Sequence, residues 1–358
     1  MILRNVDFDQ KLKSYRTSMI VDRLLQTLVL GMGFSLIFLL LTSCTLKPAD
    51  LTALSTDFPA RSSFRPNTDT PDDSIPVLAY YYIWFDTQSW DRAKADYPLL
   101  GRYSSDDADV MRQHIQWAKE AGIDGFIVSW KSTEKLNRRL AQLIKTAEEE
   151  NFKLAIIYEG LDFDRNPLPL KQVDADFNYF VQHYADHSAF DLFRKPIVIW
   201  SGTWKYAVDE IKKVTETKRN NLLILASEKN VEGFQRLSNY VDGDAYYWSS
   251  VNPDTHPGHL DKLTAMGETV HEHGGIWIAP AAPGFDARLV GGTSVVERKN
   301  GQTLRTELDT ALQSRPDAIG LISWNEFSEN SHIEPSQNYG NLYLRVLRET
   351  RFVLPMPK

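Results

Sequence analysis

Two glutamates, Glu326 and Glu329, stand three residues apart in the stretch SWNEFSENSHIEPS, where the apolar run ending Leu321-Ile322 turns abruptly polar. At that spacing, on a strand-to-loop transition, both carboxyls can point into one cleft. Cleavage of a glycosidic bond usually employs such a pair. One carboxyl stays neutral to protonate the departing oxygen, and the other is ionised as nucleophile or base. Either glutamate alone would read as an exposed loop acid. Together, backed by Asn325 and His332, they read as catalytic candidates, while Glu334, followed by a proline, is expected to fix the loop.

Other chemistries have less to stand on. No Gly-x-Ser-x-Gly elbow is present for a serine nucleophile, and no Gly-x-Gly-x-x-Gly follows the first apolar run for a dinucleotide. The stretch VGGTS (290–294) lacks the lysine of a phosphate-cradling loop. His271 and His273 in VHEHGG fall late in a helical pattern, away from the expected active face. His256 and His259 in NPDTHPGH remain a minor metal or substrate option. No metal and no cofactor are expected.

Aromatic residues gather where the glutamates would sit. Trp84, Trp130, Trp200, Trp204, Trp248 and Trp324 all fall at the ends of apolar runs, alongside Glu159, Asp286, Glu326 and Glu329. A single tryptophan there would be rim packing. Six of them converging with carboxylates favour a sugar-binding cleft, since pyranose C–H faces stack on indole while hydroxyls bond to carboxylates. The candidate substrate contacts are Tyr82, Trp84, Trp130, Glu159, Tyr247, Trp248, Asp286, Arg288, Asn325 and His332.

The elements that must position these residues form a repeating pattern. Strands are expected at 77–85, 125–130, 153–160, 195–202, 222–228, 243–250, 275–281 and 318–327. Their apolar runs are nearly continuous, as parallel strands covered on both faces require. Between them lie amphipathic stretches. Val110, Ile115 and Ala118 recur near helical spacing before Gly122, a plausible C-cap. Leu136, Leu140, Leu143 and Ile144 make one stripe of the next. Further helices are expected at 173–186, 205–220, 231–240, 258–273, 301–315 and 340–350. Eight strands each followed by a helix predict an α/β fold, a (β/α)8 TIM barrel over residues 76–358, with a doubly wound open sheet as the competitor. In such a barrel the active site forms at the C-terminal strand ends.

Composition bounds the partners. The 358 residues carry a net charge of −7 and no long Lys/Arg run, which argues against nucleic acid. The single cysteine, Cys44, excludes an intramolecular disulfide. It closes the segment LLQTLVLGMGFSLIFLLLTSC, which follows Lys11, Lys13, Arg16 and Arg23. The ending LTSC resembles a bacterial lipobox. Residues 1–44 are therefore expected to be a signal peptide with lipidation at Cys44, or else an uncleaved membrane anchor. Residues 45–75 have linker composition, rich in Thr, Ser, Pro and Asp. The expectation is a monomer tethered to a membrane in the cell envelope, facing away from the cytoplasm.

At the glutamates the sequence resembles glycoside hydrolase family 99, the endo-α-1,2-mannosidases and mannanases. SWNEFSENSHIEPS is similar to that family's Asn-Glu-Trp-His-Glu-Gly…Ile-Glu-Pro motif. YYYIWF, GRYSSDDADVMRQHIQWAKEAGIDGFIVSWKS and APGFDAR fit its first strand, its first helix with second strand, and its seventh-strand loop. The α-1,3-glucanases of family 71 share the architecture. The resemblance implies that Glu326 stands at the general base, which deprotonates the sugar's own 2-hydroxyl to give a 1,2-anhydro intermediate. It places Glu329 at the general acid/base, and the outcome is retention. Phe327, Ser328 and Asn330 depart from the family's Trp, His and Gly, and Lys131 replaces an aromatic after Trp130, so the reaction class is better indicated than the sugar. The implied activity is endo-hydrolysis of α-mannan or a related extracellular polysaccharide. The alternatives are a non-catalytic glycan-binding lipoprotein and an α-glucanase-type enzyme processing envelope polysaccharide.

Overall fold

The computed structural model describes residues 74–350 and Phe352. Cys44, the segment 1–44 and the linker up to residue 73 lie outside the described residues. From Val77 onward the chain alternates strand and helix. The strands are β1 (Val77–Tyr82), β2 (Gly125–Trp130), β3 (Lys153–Glu159) and β4 (Ile197–Ser201). They continue with β5 (Leu223–Leu225), β6 (Gly243–Ala245), β7 (Ile276–Ala281) and β8 (Ala318–Leu321). All eight are parallel, in the order β5-β4-β3-β2-β1-β8-β7-β6. Leu78 lies opposite Gly125 on one side of β1, and Val77 opposite Ile319 on the other.

The two edges of this sheet meet. Ala226 bridges Asp244 in parallel. The Asp242 amide donates to the Ile224 carbonyl at 2.8 Å, and the Ala226 amide to the Gly243 carbonyl at 2.9 Å. These bonds join β5 to β6 and close the sheet into the expected (β/α)8 barrel.

Helices cover the barrel: α1 (Ala108–Glu120), α2 (Glu134–Glu149), α3 (Leu170–His183) and α4 (Val208–Thr215). Then come α5 (Val231–Gln235), α6 (His259–Glu272), α7 (Gln302–Gln313) and α8 (Leu342–Glu349). Helix α1 starts at Asp107, whose carboxylate accepts the Asp109 amide at 2.9 Å. It stops before Gly122, whose φ of +80° is cheap only for glycine. Thr133 caps α2 in the same way through the Leu136 amide.

Strand alternation sorts the side chains into two cores. Leu78, Tyr80, Ile127, Ile157, Ile199 and Ile278 point into the barrel. Tyr81, Val128, Ile156, Trp200 and Trp277 point outward and pack with the helices. Gly320 leaves room for Tyr80, since a Cβ there would lie 3.1 Å from its ring.

Several elements are shorter than expected. β8 ends at Leu321 rather than at residue 327, because the Trp324 amide crosses to the Tyr80 carbonyl and Ser323 bonds Ser331 across a loop. Helices α4 and α5 occupy only part of 205–220 and 231–240. A two-stranded hairpin, Phe285–Asp286 with Val295–Val296, was not expected, since two-residue strands leave no periodic trace. Among the described residues, no helix is long and apolar enough to cross a membrane.

Candidate active site

The loop leaving β8 builds the site. Its base is tied by backbone bonds from Ser323 to Ser331 (2.8 Å) and from Ile333 back to Ser323 (2.9 Å). The Ser323 hydroxyl accepts the Glu326 amide at 2.8 Å, which turns the chain at the glutamate. The Glu326 carboxylate is buried and accepts the Ser328 amide at 2.9 Å. Burial raises its pKa above the usual glutamate value, while the Ser328 bond and the Lys94 charge act against that rise.

Glu329 lies at the top of the same loop, its carbonyl accepting the Asp286 amide at 2.7 Å. Its pKa is pushed up to about 7, first by burial and then by the charge of Glu326, with Arg165 opposing. Near neutral pH this carboxyl can therefore keep its proton beside an ionised neighbour. That is the division of labour an acid and a base in one cleft need.

Two tyrosines complete the floor. Tyr82 and Tyr247 both point inward, and their hydroxyls are 2.7 Å apart. Burial and neighbouring charges, the two glutamates among them, hold both phenols well above their ordinary pKa, so they stay neutral. Trp84 stacks on Tyr82 at 4.3 Å and is 43% exposed, an open aromatic face at the mouth. Glu159 ends β3 facing inward and accepts the Ser129 hydroxyl at 2.8 Å. Burial raises its pKa, against that bond and the charges of Lys131 and Arg165. Trp248 is half-buried at the rim, and Asp286 pairs with Arg288 at 2.6 Å on the exposed seventh loop.

Trp130, Asn325 and His332, expected as substrate contacts, lie elsewhere. Trp130 is fully buried on the outer face of β2, packed on Tyr158 and Phe180, with its indole N–H donated to Asn137 at 2.9 Å. It cannot meet a sugar, because alternation along β2 sends Ser129 inward and Trp130 outward. Trp200 and Trp324 are likewise core residues. Asn325 is buried and clamps the end of β1. Its carbonyl accepts the Tyr82 amide at 2.9 Å, and its amide donates to the Tyr82 carbonyl at 3.0 Å. His332 is buried, stacked on Phe327 at 4.1 Å, with Nε2 3.3 Å from Asp96. Burial and Arg298 depress its pKa to about 3, so it is neutral.

Glu334 does fix the loop, accepting the Tyr103 hydroxyl at 2.9 Å and meeting His114 Nε2 at 3.1 Å. His259 is also buried, 3.7 Å from Glu307. Lys94 and Arg165 are charges near the glutamates that sequence reasoning missed. Each sits in a strand-end loop without periodicity, and that position was the one signal available.

The sequence profile described as glycosyl hydrolase family 99 matches residues 84–343. The chain belongs to glycosyl hydrolase family 99. Among the relatives of this family 99 chain is a glycoprotein endo-alpha-1,2-mannosidase-like protein of Mus musculus. It is 24% identical over 288 residues, covering 72% of this chain and 62% of that protein. The glycoprotein endo-alpha-1,2-mannosidase of Rattus norvegicus is 24% identical, over 69% of this chain and 59% of its own length. The chain thus spans about three-fifths of the curated relatives it matches. Among solved structures, the family 99 endo-alpha-mannosidase of Bacteroides thetaiotaomicron superposes with a TM-score of 0.67 at 22% identity, covering 78% of this chain and 96% of that one. That likeness is one of fold.

Proposed function

We propose that this protein is a retaining, endo-acting α-glycoside hydrolase that cleaves an α-mannan-like or related extracellular polysaccharide. The observation that carries the reading is the pair Glu326 and Glu329 on one loop, the first buried and the second half-buried, with Glu329 poised at about pKa 7. Family membership and the endo-mannosidase relatives support it.

Glu326, ionised, takes the proton of the substrate's 2-hydroxyl as that oxygen attacks the anomeric carbon. The bond from that carbon to the departing sugar breaks, and Glu329 gives its proton to the leaving oxygen. Glu329, now a carboxylate, removes a proton from water, which opens the 1,2-anhydro ring at the anomeric carbon while Glu326 returns its proton to the 2-oxygen. Two inversions give retention, and neither glutamate forms a bond to the sugar. The neutral hydroxyls of Tyr82 and Tyr247 can donate to the reacting sugar, and Trp84 offers a stacking face.

The test is hydrolysis by the full chain and its Glu329→Gln variant. General-acid assistance contributes roughly 10²–10⁴-fold, so the variant should lose about that much on polysaccharide and far less on a glycoside with an activated aryl leaving group. Equal activity of both proteins on polysaccharide would sink the role of Glu329. Binding of a broad glycan panel with no turnover would favour a glycan-binding protein instead. Tethering through Cys44 is part of the proposal, and a Cys44→Ala variant that stayed in the membrane fraction would remove it.

A further inference from the structure

The face that carries the two glutamates also gathers cations without ion-pair partners, in a protein whose net charge is −7. Lys131 directly follows β2, Arg165 lies in the loop after β3, Lys229 follows β5, and Lys262 sits in the first turn of α6. No carboxylate among the described residues lies within ion-pair distance of any of them, whereas Lys135, Lys153 and Lys218 each hold an aspartate.

Three of the four rest on aromatic rings instead. The Lys131 ammonium is 5.5 Å from the centre of Phe163, Lys229 is 4.1 Å from Trp204, and Lys262 is 4.5 Å from Trp248. A ring face holds a cation more weakly than a carboxylate does and leaves its outer side open to an anion. Phe163 is 96% exposed at its loop tip, so that pair is displayed to solvent.

The cations also crowd one another. Burial depresses Lys229, and Arg165 and Lys205 add to it; burial depresses Lys262, and Lys229 adds to it. The nearby acids Asp162, Glu159 and Glu228 feel these cations but make no direct ion pair with them. Asp162 is engaged by the Asp164 and Asn166 amides of its own loop, Glu159 by Ser129, and Glu228 by Arg236. Asp164 is the exposed exception.

We infer that the rim formed by Lys131, Arg165, Lys229 and Lys262 binds acidic groups, and that the glycan this cleft takes is anionic, bearing carboxylate or phosphate on its sugars. This rests on the glycan-hydrolase reading of the same cleft and specifies its substrate class. A neutral polysaccharide would leave these charges unanswered, whereas an acidic one would be drawn along the rim toward Glu326 and Glu329.

The experiment measures binding by the full chain carrying Glu329→Gln, which holds glycan without turning it over. Three probes are compared: a neutral α-mannan, the same mannan oxidised at C6 to the uronate, and a phosphorylated mannan. At least one acidic form should bind about tenfold tighter than the neutral one at low ionic strength, and the advantage should shrink as salt rises. Which acidic form is preferred distinguishes carboxylate from phosphate. Adding Lys131→Gln, Arg165→Gln and Lys229→Gln should bring the acidic-to-neutral ratio near unity, while Lys131→Arg with Lys229→Arg should keep it. The ratio is taken within each protein, so partial loss of folded material does not distort it. Equal affinity for neutral and acidic mannan, or a preference that survives the triple substitution, would overturn the inference. Wild-type turnover of all three glycans without preference would leave the hydrolase reading intact, and acidic binding with no turnover would remove that reading alone.

Discussion

Glu326 and Glu329 sit in environments that separate their proton affinities, and the proposed catalysis at neutral pH depends on that separation. In the proposed mechanism the active form has Glu326 ionised and Glu329 protonated. As pH rises through about 7, Glu329 loses the proton it must donate, so kcat/KM should fall there. As pH falls, Glu326 gains a proton at a pKa held above the ordinary glutamate value by burial, so the acid limb should lie above that of an exposed glutamate. A profile flat from pH 5 to 9 would contradict both assignments. Trp130 carries a lesson at the same scale. Its type and place after an apolar run suggested a sugar platform, yet its parity on β2 sends it outward and Ser129 inward, where Ser129 meets Glu159 of β3.

At the scale of elements, the loop that carries the two glutamates is held by clamps from its neighbours. Asn325 binds the Tyr82 backbone with both ends of its amide, so the end of β1 and the loop after β8 move as one unit. Asn325→Leu removes these bonds and leaves buried backbone groups unpaired, a loss of about 1–3 kcal/mol per group. The expected result is a lower Tm together with a lower kcat, because Tyr82 no longer faces Tyr247 in place. A variant with normal kcat would show that the clamp serves stability alone. Arg139, fully buried on α2, holds the loop after β1 through the Ile83 carbonyl and the carboxylates of Asp86 and Asp106. Those two acids are partly exposed, so Arg139→Leu should cost less than a wholly buried pair, roughly 2–3 kcal/mol by denaturant titration. A loss below about 0.5 kcal/mol would place this arginine among ordinary surface pairs.

For the whole molecule, one buried acid among the described residues lacks the hydrogen bonds that would keep it ionised. Glu307 is enclosed by α7 and its surroundings with neither carboxyl oxygen hydrogen-bonded, and burial raises its pKa well above 4.5. Between the unfolded value and that raised value the folded state holds a proton the unfolded chain has released. Its contribution is therefore complete below about pH 4.5 and is lost as pH rises. Glu307→Gln keeps the shape and removes the titration. Its Tm should decline less between pH 5 and pH 8 than that of the wild type, measured by calorimetry. Matching declines in the two proteins would show that Glu307 does not carry the effect.

Much of this protein was legible in its sequence, because strand and helix patterning are local properties. The apolar runs, the stripe Leu140-Leu143-Ile144 and the stop at Gly122 follow from backbone geometry and burial, so the alternation of eight strands with eight helices could be read directly. The pair Glu326 and Glu329 was legible because costly polar groups break an apolar run there. Closure of the sheet was not, since it rests on bonds between β5 and β6 that periodicity cannot express. Nor was the division of the candidate residues into cleft, clamp and core. Trp84, Tyr82 and Tyr247 reach the cleft, Asn325 and His332 brace it, and Trp130 lies behind the sheet. Side-chain direction and the neighbours brought by folding decide that division. The same neighbours, through burial and through charges such as Arg165 and Lys94, set which glutamate keeps its proton.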